Sequence, residues 1–106
     1  MTESPLDAAS EAVRAQDWSR AEAECLAFLE RSPDDPAALN LLGMVAFATG
    51  RVARAAELIG RASRLAEDEP AYHRNLCELH RILNQSAEAI AHGEAAVALE
   101  IGRAHV

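Results

Sequence analysis

Apolar residues recur along this chain mainly at intervals of three and four, which is the spacing of one face of an α-helix. Proline and glycine interrupt the pattern regularly, and Pro36 and Pro70 each stand where a helix would open, a position that favours proline. Valine and isoleucine are too scattered to predict strands. The pattern therefore predicts an all-α protein with helices at residues 5–15, 18–31, 36–48, 52–66, 70–83 and 86–99.

The predicted helices repeat in pairs with a period of 34 residues. At this separation Pro36 is matched by Pro70, and Leu42 by Leu76. We call a set of positions matched at this separation a column. Further columns are Ala21, Ala55 and Ala89, then Phe28, Ala62 and Ala96, then Gln16, Gly50 and Asn84. The last column falls in turns, where glycine and asparagine readily adopt a left-handed conformation and glutamine is merely tolerated.

A two-helix unit of this length resembles the tetratricopeptide repeat (TPR) family. The stretches NLLGMVAFATGRVARAAELIGRASRL and NLCELHRILNQSAEAIAHGEAAVAL look like two such repeats, and the chain through DWSRAEAECLAFLERSP looks like a third, more degenerate one. The resemblance implies a right-handed α-solenoid of about three helix-turn-helix repeats. We expect one TPR domain at residues 1–100, with repeats at approximately 2–35, 36–69 and 70–100. The repeats also resemble those of bacterial O-linked N-acetylglucosamine transferase-type proteins.

Charge and composition narrow the classes of partner. With 10 basic and 17 acidic residues the net charge is −7, which argues against a nucleic-acid surface because phosphates require a basic one. No apolar run approaches the roughly 20 residues that span a bilayer, and the polar start MTESPLDAAS is unlike a signal peptide. Cys25 and Cys77 then favour reduced thiols. We expect a cytoplasmic protein that binds neither nucleic acid nor membrane.

His73, Cys77 and His80 are spaced so that they share one face of the helix at 70–83. Imidazole and thiolate suit zinc, but a fourth ligand is needed, and we expect His92 to face away from this stripe. One repeat earlier the same columns are held by Leu39, Gly43 and Ala46. These are packing positions, so we interpret Cys77 as a small hydrophobe and both histidines as partly buried, hydrogen-bonded residues. The sequence predicts no metal and no cofactor.

A catalytic site is not predicted either. A dyad of Cys77 and His80 needs a thiolate open to substrate and an oxyanion site nearby, which a packed helix seam does not offer. The glycines are dispersed and form no phosphate-binding loop. We therefore predict that this chain is not itself an enzyme.

Recognition is predicted on the concave wall, which the first helix of each repeat lines in this family. The expected partner-binding groove consists of Arg14, Asn40, Met44, Phe47, Arg74, Asn75, Glu78 and Arg81. Arg74 and Arg81 form a cationic stripe suited to carboxylates of a peptide, and Met44 and Phe47 offer an apolar contact beside the amide of Asn40. The alternative interpretation is that these residues are simply exposed helix positions.

Two functions remain open from the sequence. In the first, the chain is a binding module that holds a peptide or partner protein in its groove. In the second, it is the amino-terminal docking region of a larger bacterial enzyme, such as a glycosyltransferase or another transferase. The residues after position 100 would discriminate between them.

Residues 101–106, IGRAHV, interrupt the repeat pattern. They can be encoded by ATC GGA AGA GCA CAC GTC followed by TGA, the opening of a widely used sequencing-library adapter. We expect this tail to be adapter read-through and the natural protein to continue. The last helix, with Ile90 and Val97 on its apolar face, would then lack its following helix and offer a surface for self-association.

Overall fold

The structure is a computed structural model, which describes residues 5–83 and 92–100. Its helices are α1 (Pro5–Arg14), α2 (Trp18–Arg31), α3 (Pro36–Ala48), α4 (Val52–Leu65) and α5 (Pro70–Ile82), and residues 92–100 are also helical. The described ranges contain no strand, so the all-α prediction is confirmed, and the bounds of α1 to α5 differ from those predicted by at most one residue. The predicted start of the sixth helix, Asn84, Ile90 and the tail 101–106 lie outside the described residues.

Acidic side chains open α2, α3 and α5, as local chemistry favours. The Asp35 Oδ1 atom accepts a hydrogen bond from the backbone N–H of Ala38 at 3.0 Å, with Pro36 in the first turn of α3. The Asp17 Oδ1 atom accepts from the N–H of Arg20 at 3.3 Å at the start of α2. Each carboxylate satisfies an N–H that has no partner within its helix and opposes the positive end of the helix dipole.

The turns inside the first two repeats use the same backbone conformation at the same column. Gln16 has φ 59° and Gly50 has φ 84°, both in the left-handed region. Glycine adopts this conformation without a steric penalty, whereas a side chain such as that of glutamine adopts it at some cost. The repeat period read from the sequence is thus confirmed in the backbone.

The helices within a repeat approach each other through a small residue facing a large one. A Cβ atom at Gly43 of α3 would lie 2.9 Å from Ile59 Cδ1 and 3.3 Å from the carbonyl oxygen of Ala55, so only glycine fits. In the third repeat the two sizes are reversed. Cys77 takes the glycine column, and Gly93 stands opposite it, where an added Cβ would lie 3.4 Å from Cys77 Sγ.

Neighbouring helices in the chain pack on each other, and α1 also contacts α3, so the repeats stack in chain order. The core between them contains Ala9, Cys25, Leu39, Leu42, Ala46, Ala55, Leu58, Ile59, Ala62, Leu76 and Leu79. Ion pairs at the rim join the first two repeats, Arg51 to Glu22 at 2.6 Å and Arg61 to Asp34 at 2.9 Å. The result is a TPR-type α-solenoid. Among the described residues, no helix is long and apolar enough to span a bilayer.

Candidate functional site

The first helices of the three repeats line an open apolar cavity of about 310 Å³, which we call the groove cavity. Trp18, at the start of α2, and Ile59 of α4 complete its wall. The lining residues are Val13, Trp18, Met44, Phe47, Ala48, Ile59, Asn75, Glu78 and Leu79. The groove cavity lies on the side of the molecule formed by α1, α3 and α5, which is the side on which TPR solenoids form a concave surface.

Two large apolar side chains of α3 remain open to solvent at this cavity. Met44 is 39% exposed and Phe47 is 44% exposed. Phe47 is also one of only four Phe, Trp and Tyr residues in the chain. Their spacing of three residues places them on the same face of α3. Clustered apolar side chains that stay in water are typical of an interaction surface.

An amide pair forms a polar edge beside the apolar wall. The Asn75 Nδ2 atom donates to Asn40 Oδ1 at 2.9 Å, which connects α5 with α3 across two repeats. The Asn40 Nδ2 atom in turn lies 3.7 Å from Met44 Sδ, in a weak hydrogen bond. Each side-chain amide has two N–H groups and a carbonyl oxygen with two lone pairs, so the pair retains capacity for a peptide group.

The charged groups of α5 are paired within the chain. Arg81 donates to Glu78 in a two-point contact, Nη2 to Oε1 at 2.5 Å and Nε to Oε2 at 3.1 Å. These hydrogen bonds lower the pKa of Glu78 and raise that of Arg81. Arg74 forms an ion pair with Glu100. The predicted cationic stripe is therefore not a row of unopposed charges, because each guanidinium already faces a carboxylate.

The structure brings together half of the predicted groove residues. Those that line the groove cavity are Met44, Phe47, Asn75 and Glu78. Asn40 joins them through its hydrogen bond to Asn75. The three predicted arginines are not part of the lining: Arg14, Arg74 and Arg81.

Sequence reasoning missed Trp18, which lines the cavity. In the sequence it stands only at the start of a predicted helix, and the matching positions in later repeats are Val52 and Ser86, so no repeat pattern singles it out. The one available signal was its rarity, because it is the only tryptophan of the chain. Ile59 and Leu79 were missed as lining residues because the sequence shows them only as apolar helix positions.

A second group of polar side chains, which we call the histidine cluster, consists of His73, His80 and His92. The Nδ1 atoms of His73 and His92 are 3.0 Å apart, and the His92 ring stacks on both His73 and His80 at centroid distances of 5.3 and 5.5 Å. The expectation that His92 faces away from α5 is wrong. Gly93 lets residues 92–100 approach Cys77 closely, and this brings the neighbouring ring onto α5.

The histidine cluster does not form a metal centre in this arrangement. Across residues 5–83 and 92–100, no group of three or more His, Cys, Asp or Glu side chains is placed to hold a metal ion. The Nδ1 atoms of His73 and His92 face each other, and His73 Nε2 lies 3.0 Å from the carbonyl oxygen of Glu67. Both nitrogens of His73 are thus engaged with groups of the protein.

The two cysteines differ in their surroundings. Cys25 is completely buried in the core, and this burial, followed by the charge of Glu24, raises the pKa of its thiol to about 11. Such a thiol stays protonated at neutral pH and is a poor nucleophile. Cys77 is half-buried beside Gly93.

Comparison with known proteins agrees with this architecture. The O-GlcNAc transferase of Thermobaculum terrenum, in a mutant form, is 32% identical, with a TM-score of 0.84 over 93% of this chain and 20% of that chain. MamA from Desulfovibrio magneticus RS-1 is 19% identical, with a TM-score of 0.85 over 92% of this chain and 55% of that chain. A chain of the CopN–Scc3 complex is 16% identical, with a TM-score of 0.81 over 90% of this chain and 56% of that chain. No curated protein matches the chain.

These structures are longer than this chain, which spans about a fifth of the transferase and little more than half of the other two. The repeats thus resemble the TPR region of an O-GlcNAc transferase-type protein, and TPR solenoids are typical scaffolds for protein–protein interaction. The sequence profile of the tetratricopeptide repeat family matches residues 6–70, which is more than half of the chain. The chain belongs to the tetratricopeptide repeat family.

Proposed function

We propose that this chain is a protein-interaction module that binds an extended segment of a partner protein, with one bulky apolar side chain of that segment inserted into the groove cavity. The observation that carries the proposal is the exposure of Met44 and Phe47 beside Trp18 around a cavity of about 310 Å³. Clefts of this size with mostly apolar walls and a few polar groups are typical of binding sites.

The apolar wall would supply most of the affinity. Trp18, Met44 and Phe47 present large side chains that lose contact with water when a partner side chain covers them. Burial of apolar surface contributes about 25 cal/mol per Å². Interfaces commonly derive most of their binding energy from a few such anchors.

The amide pair would orient the backbone of the bound segment. Asn40 and Asn75 lie on the first helices of consecutive repeats and are joined at 2.9 Å, so their remaining donors and acceptors are directed from α3 and α5. An extended peptide has N–H and C=O groups that such amides bind irrespective of sequence. Specificity would then come from the anchor side chain.

A direct test uses the position of Trp18, the only tryptophan of the chain, in the cavity wall. Random peptides displayed on phage would be selected on the immobilised chain, and a synthetic peptide from that selection titrated while tryptophan emission is recorded. We expect selected sequences to share one large apolar residue and the titration to change the emission of Trp18.

The matched variants are Phe47→Ala and Leu26→Ala, because both remove a large exposed apolar side chain but only Phe47 lines the groove cavity. Phe47→Ala should weaken peptide binding about tenfold or more, as loss of an anchor contact commonly does. Leu26→Ala should leave it unchanged. Equal affinity of wild type and Phe47→Ala, with constant emission, would place the binding site elsewhere.

A second candidate function is that of the amino-terminal docking region of a larger transferase. The identity of 32% to an O-GlcNAc transferase, of which this chain spans only 20%, is the observation that favours it. Genomic DNA across the locus tests it, together with the proposed read-through origin of residues 101–106. We expect an open reading frame that leaves the present sequence after about residue 100 and encodes a catalytic α/β domain. A native stop codon directly after Val106 would contradict both.

A further inference from the structure

The histidine cluster joins α5 to residues 92–100 and takes no part in the groove cavity. One of its contacts is a nitrogen–nitrogen contact, Nδ1 of His73 to Nδ1 of His92 at 3.0 Å. A hydrogen bond of this kind needs one nitrogen with a proton and one without. Its existence therefore depends on how many protons the two rings carry together.

The second contact of His73 determines which ring is the donor. Its Nε2 atom lies 3.0 Å from the backbone carbonyl oxygen of Glu67, and a carbonyl oxygen can only accept. The Nε2 atom of His73 must therefore carry a proton. When His73 is neutral its Nδ1 atom is bare, so it accepts and the Nδ1–H of His92 donates.

Successive protonation then has two distinct consequences. A first proton placed on Nε2 of His92 leaves its Nδ1–H in place, and the hydrogen bond becomes charge-assisted. A second proton can enter only at Nδ1 of His73, where it would meet the N–H of His92 head-on. The hydrogen bond is then lost, and two cationic rings remain with centroids 5.3 Å apart.

The charged surroundings of the pair do not remove this effect. The groups that face it are Arg64 of α4, Glu67 of the following turn, Cys77 and His80 of α5 and, at the far end, Arg74 with its partner Glu100. Arg64 and Glu67 oppose each other in sign, and so do Arg74 and Glu100. His80, stacked on His92 at 5.5 Å, adds a further positive charge if it is protonated.

We propose that His73 and His92 form a proton-operated latch, closed while at least one of the two rings is neutral and open when both are cationic. The closed latch holds residues 92–100 on α5, where Ala96 is buried and Gly93 lies against Cys77. Opening it weakens the packing of the third repeat without touching the groove cavity. Acidification thereby controls whether this end of the solenoid is ordered.

Amide hydrogen exchange of the whole chain tests the latch. Protection factors for residues 96–100, each divided by the protection of α3 amides, would be measured at about pH 8 and about pH 5, on either side of the usual titration of histidine. We expect the ratio to fall about tenfold or more at the lower pH, which corresponds to about 1.4 kcal/mol of local stability. An unchanged ratio would overturn the proposal.

Two variants separate the latch from other titrating groups. In His92→Asn the side-chain amide offers an N–H to a bare Nδ1 of His73 and, after rotation, its carbonyl oxygen to a protonated Nδ1, so we expect protection of residues 96–100 to become independent of pH. His80→Phe keeps a ring on the stack without a titrating nitrogen and should respond like the wild type. If His92→Asn loses protection on acidification as the wild type does, another group is responsible and the proposal fails.

A measurement on the unaltered protein checks the tautomers independently of any variant. Nitrogen chemical shifts of the imidazole rings at about pH 8 should identify His73 with its proton on Nε2 and His92 with its proton on Nδ1. The same tautomer at both residues would be incompatible with the hydrogen bond and would refute the latch.

Discussion

At the scale of single residues, the thiol of Cys25 has its pKa raised to about 11 by burial and by Glu24. The folded pKa lies above the usual unfolded value of about 8.5, so the folded state favours the protonated thiol. The stabilisation from this group is complete below about pH 8.5 and is lost as the pH rises towards 11. Tyr72, whose pKa is raised by burial and nearby carboxylates, acts in the same direction.

We predict that the wild type loses about 1–2 kcal/mol of unfolding free energy between about pH 8 and pH 10 that Cys25→Ala does not lose. Urea unfolding at the two pH values measures the difference between the proteins, and the contribution of Tyr72 is common to both. Cys25→Ala also removes core volume and should be less stable at either pH, which does not affect the comparison of slopes. Equal losses of unfolding free energy in the wild type and in Cys25→Ala would contradict the assignment of this loss to the Cys25 thiol.

Two glycines at helix–helix contacts form a matched pair. A Cβ at Gly43 would press against the side chain of Ile59 and the backbone of Ala55, whereas a Cβ at Gly93 would reach only ordinary contact with Cys77 Sγ at 3.4 Å. Gly43→Ala should therefore cost about 1–3 kcal/mol through overpacking. Gly93→Ala should be neutral or stabilise by up to about 1 kcal/mol, because alanine favours the helix. Thermal unfolding of the two variants in parallel checks the opposite signs.

At the scale of elements, the start of α3 depends on one carboxylate. Asp35 Oδ1 accepts from the N–H of Ala38 at 3.0 Å in a partly buried position. Asp35→Ala should cost about 1 kcal/mol of unfolding free energy, whereas Asp35→Asn keeps an acceptor and should lose only a few tenths. Urea unfolding of both variants measures this. A cost as large for asparagine as for alanine would show that charge, rather than the hydrogen bond, stabilises the helix start.

The helices themselves were predictable because their signals are local. Proline at 36 and 70, acidic caps before them and apolar spacing of three and four all act within one turn of helix. The orientation of His92 was not predictable in this way. The orientation depends on how closely residues 92–100 approach α5. Gly93 determines that distance, because it stands at the column where the second repeat has the larger Ile59.

At the scale of the whole molecule, the net charge is −7, yet the arginines of α5 are balanced by Glu78 and Glu100. A peptide that binds through an apolar anchor should therefore have an affinity that changes by less than about threefold over a tenfold change in salt concentration, because the groove offers little unpaired charge to screen. Titration by Trp18 fluorescence at several salt concentrations measures this. A steep loss of affinity with salt would instead favour recognition by the arginines.

The sequence by itself determined the class of fold, the period of 34 residues and the columns of small residues that let helices touch. It also identified the face that contains Met44, Phe47 and Asn75, since position within the repeat specifies which helix face is concave. The pairing of Glu78 with Arg81 could also have been inferred, because they are three residues apart on one helix. All of these properties follow from periodicity along the chain, either the spacing of residues on one helix or the repeat of 34 residues.

Only the tertiary structure decided which of these side chains meet. Trp18 lines a cavity whose other walls come from α1, α3, α4 and α5, and Arg74 forms an ion pair with Glu100 within the third repeat. Asn40 bonds Asn75, and His92 stacks on His73, through the distance and rotation between packed helices. The physical reason is that the side-chain ridges and small residues at each helix contact together determine the distance and rotation between the helices. No local pattern in the chain encodes that combined effect.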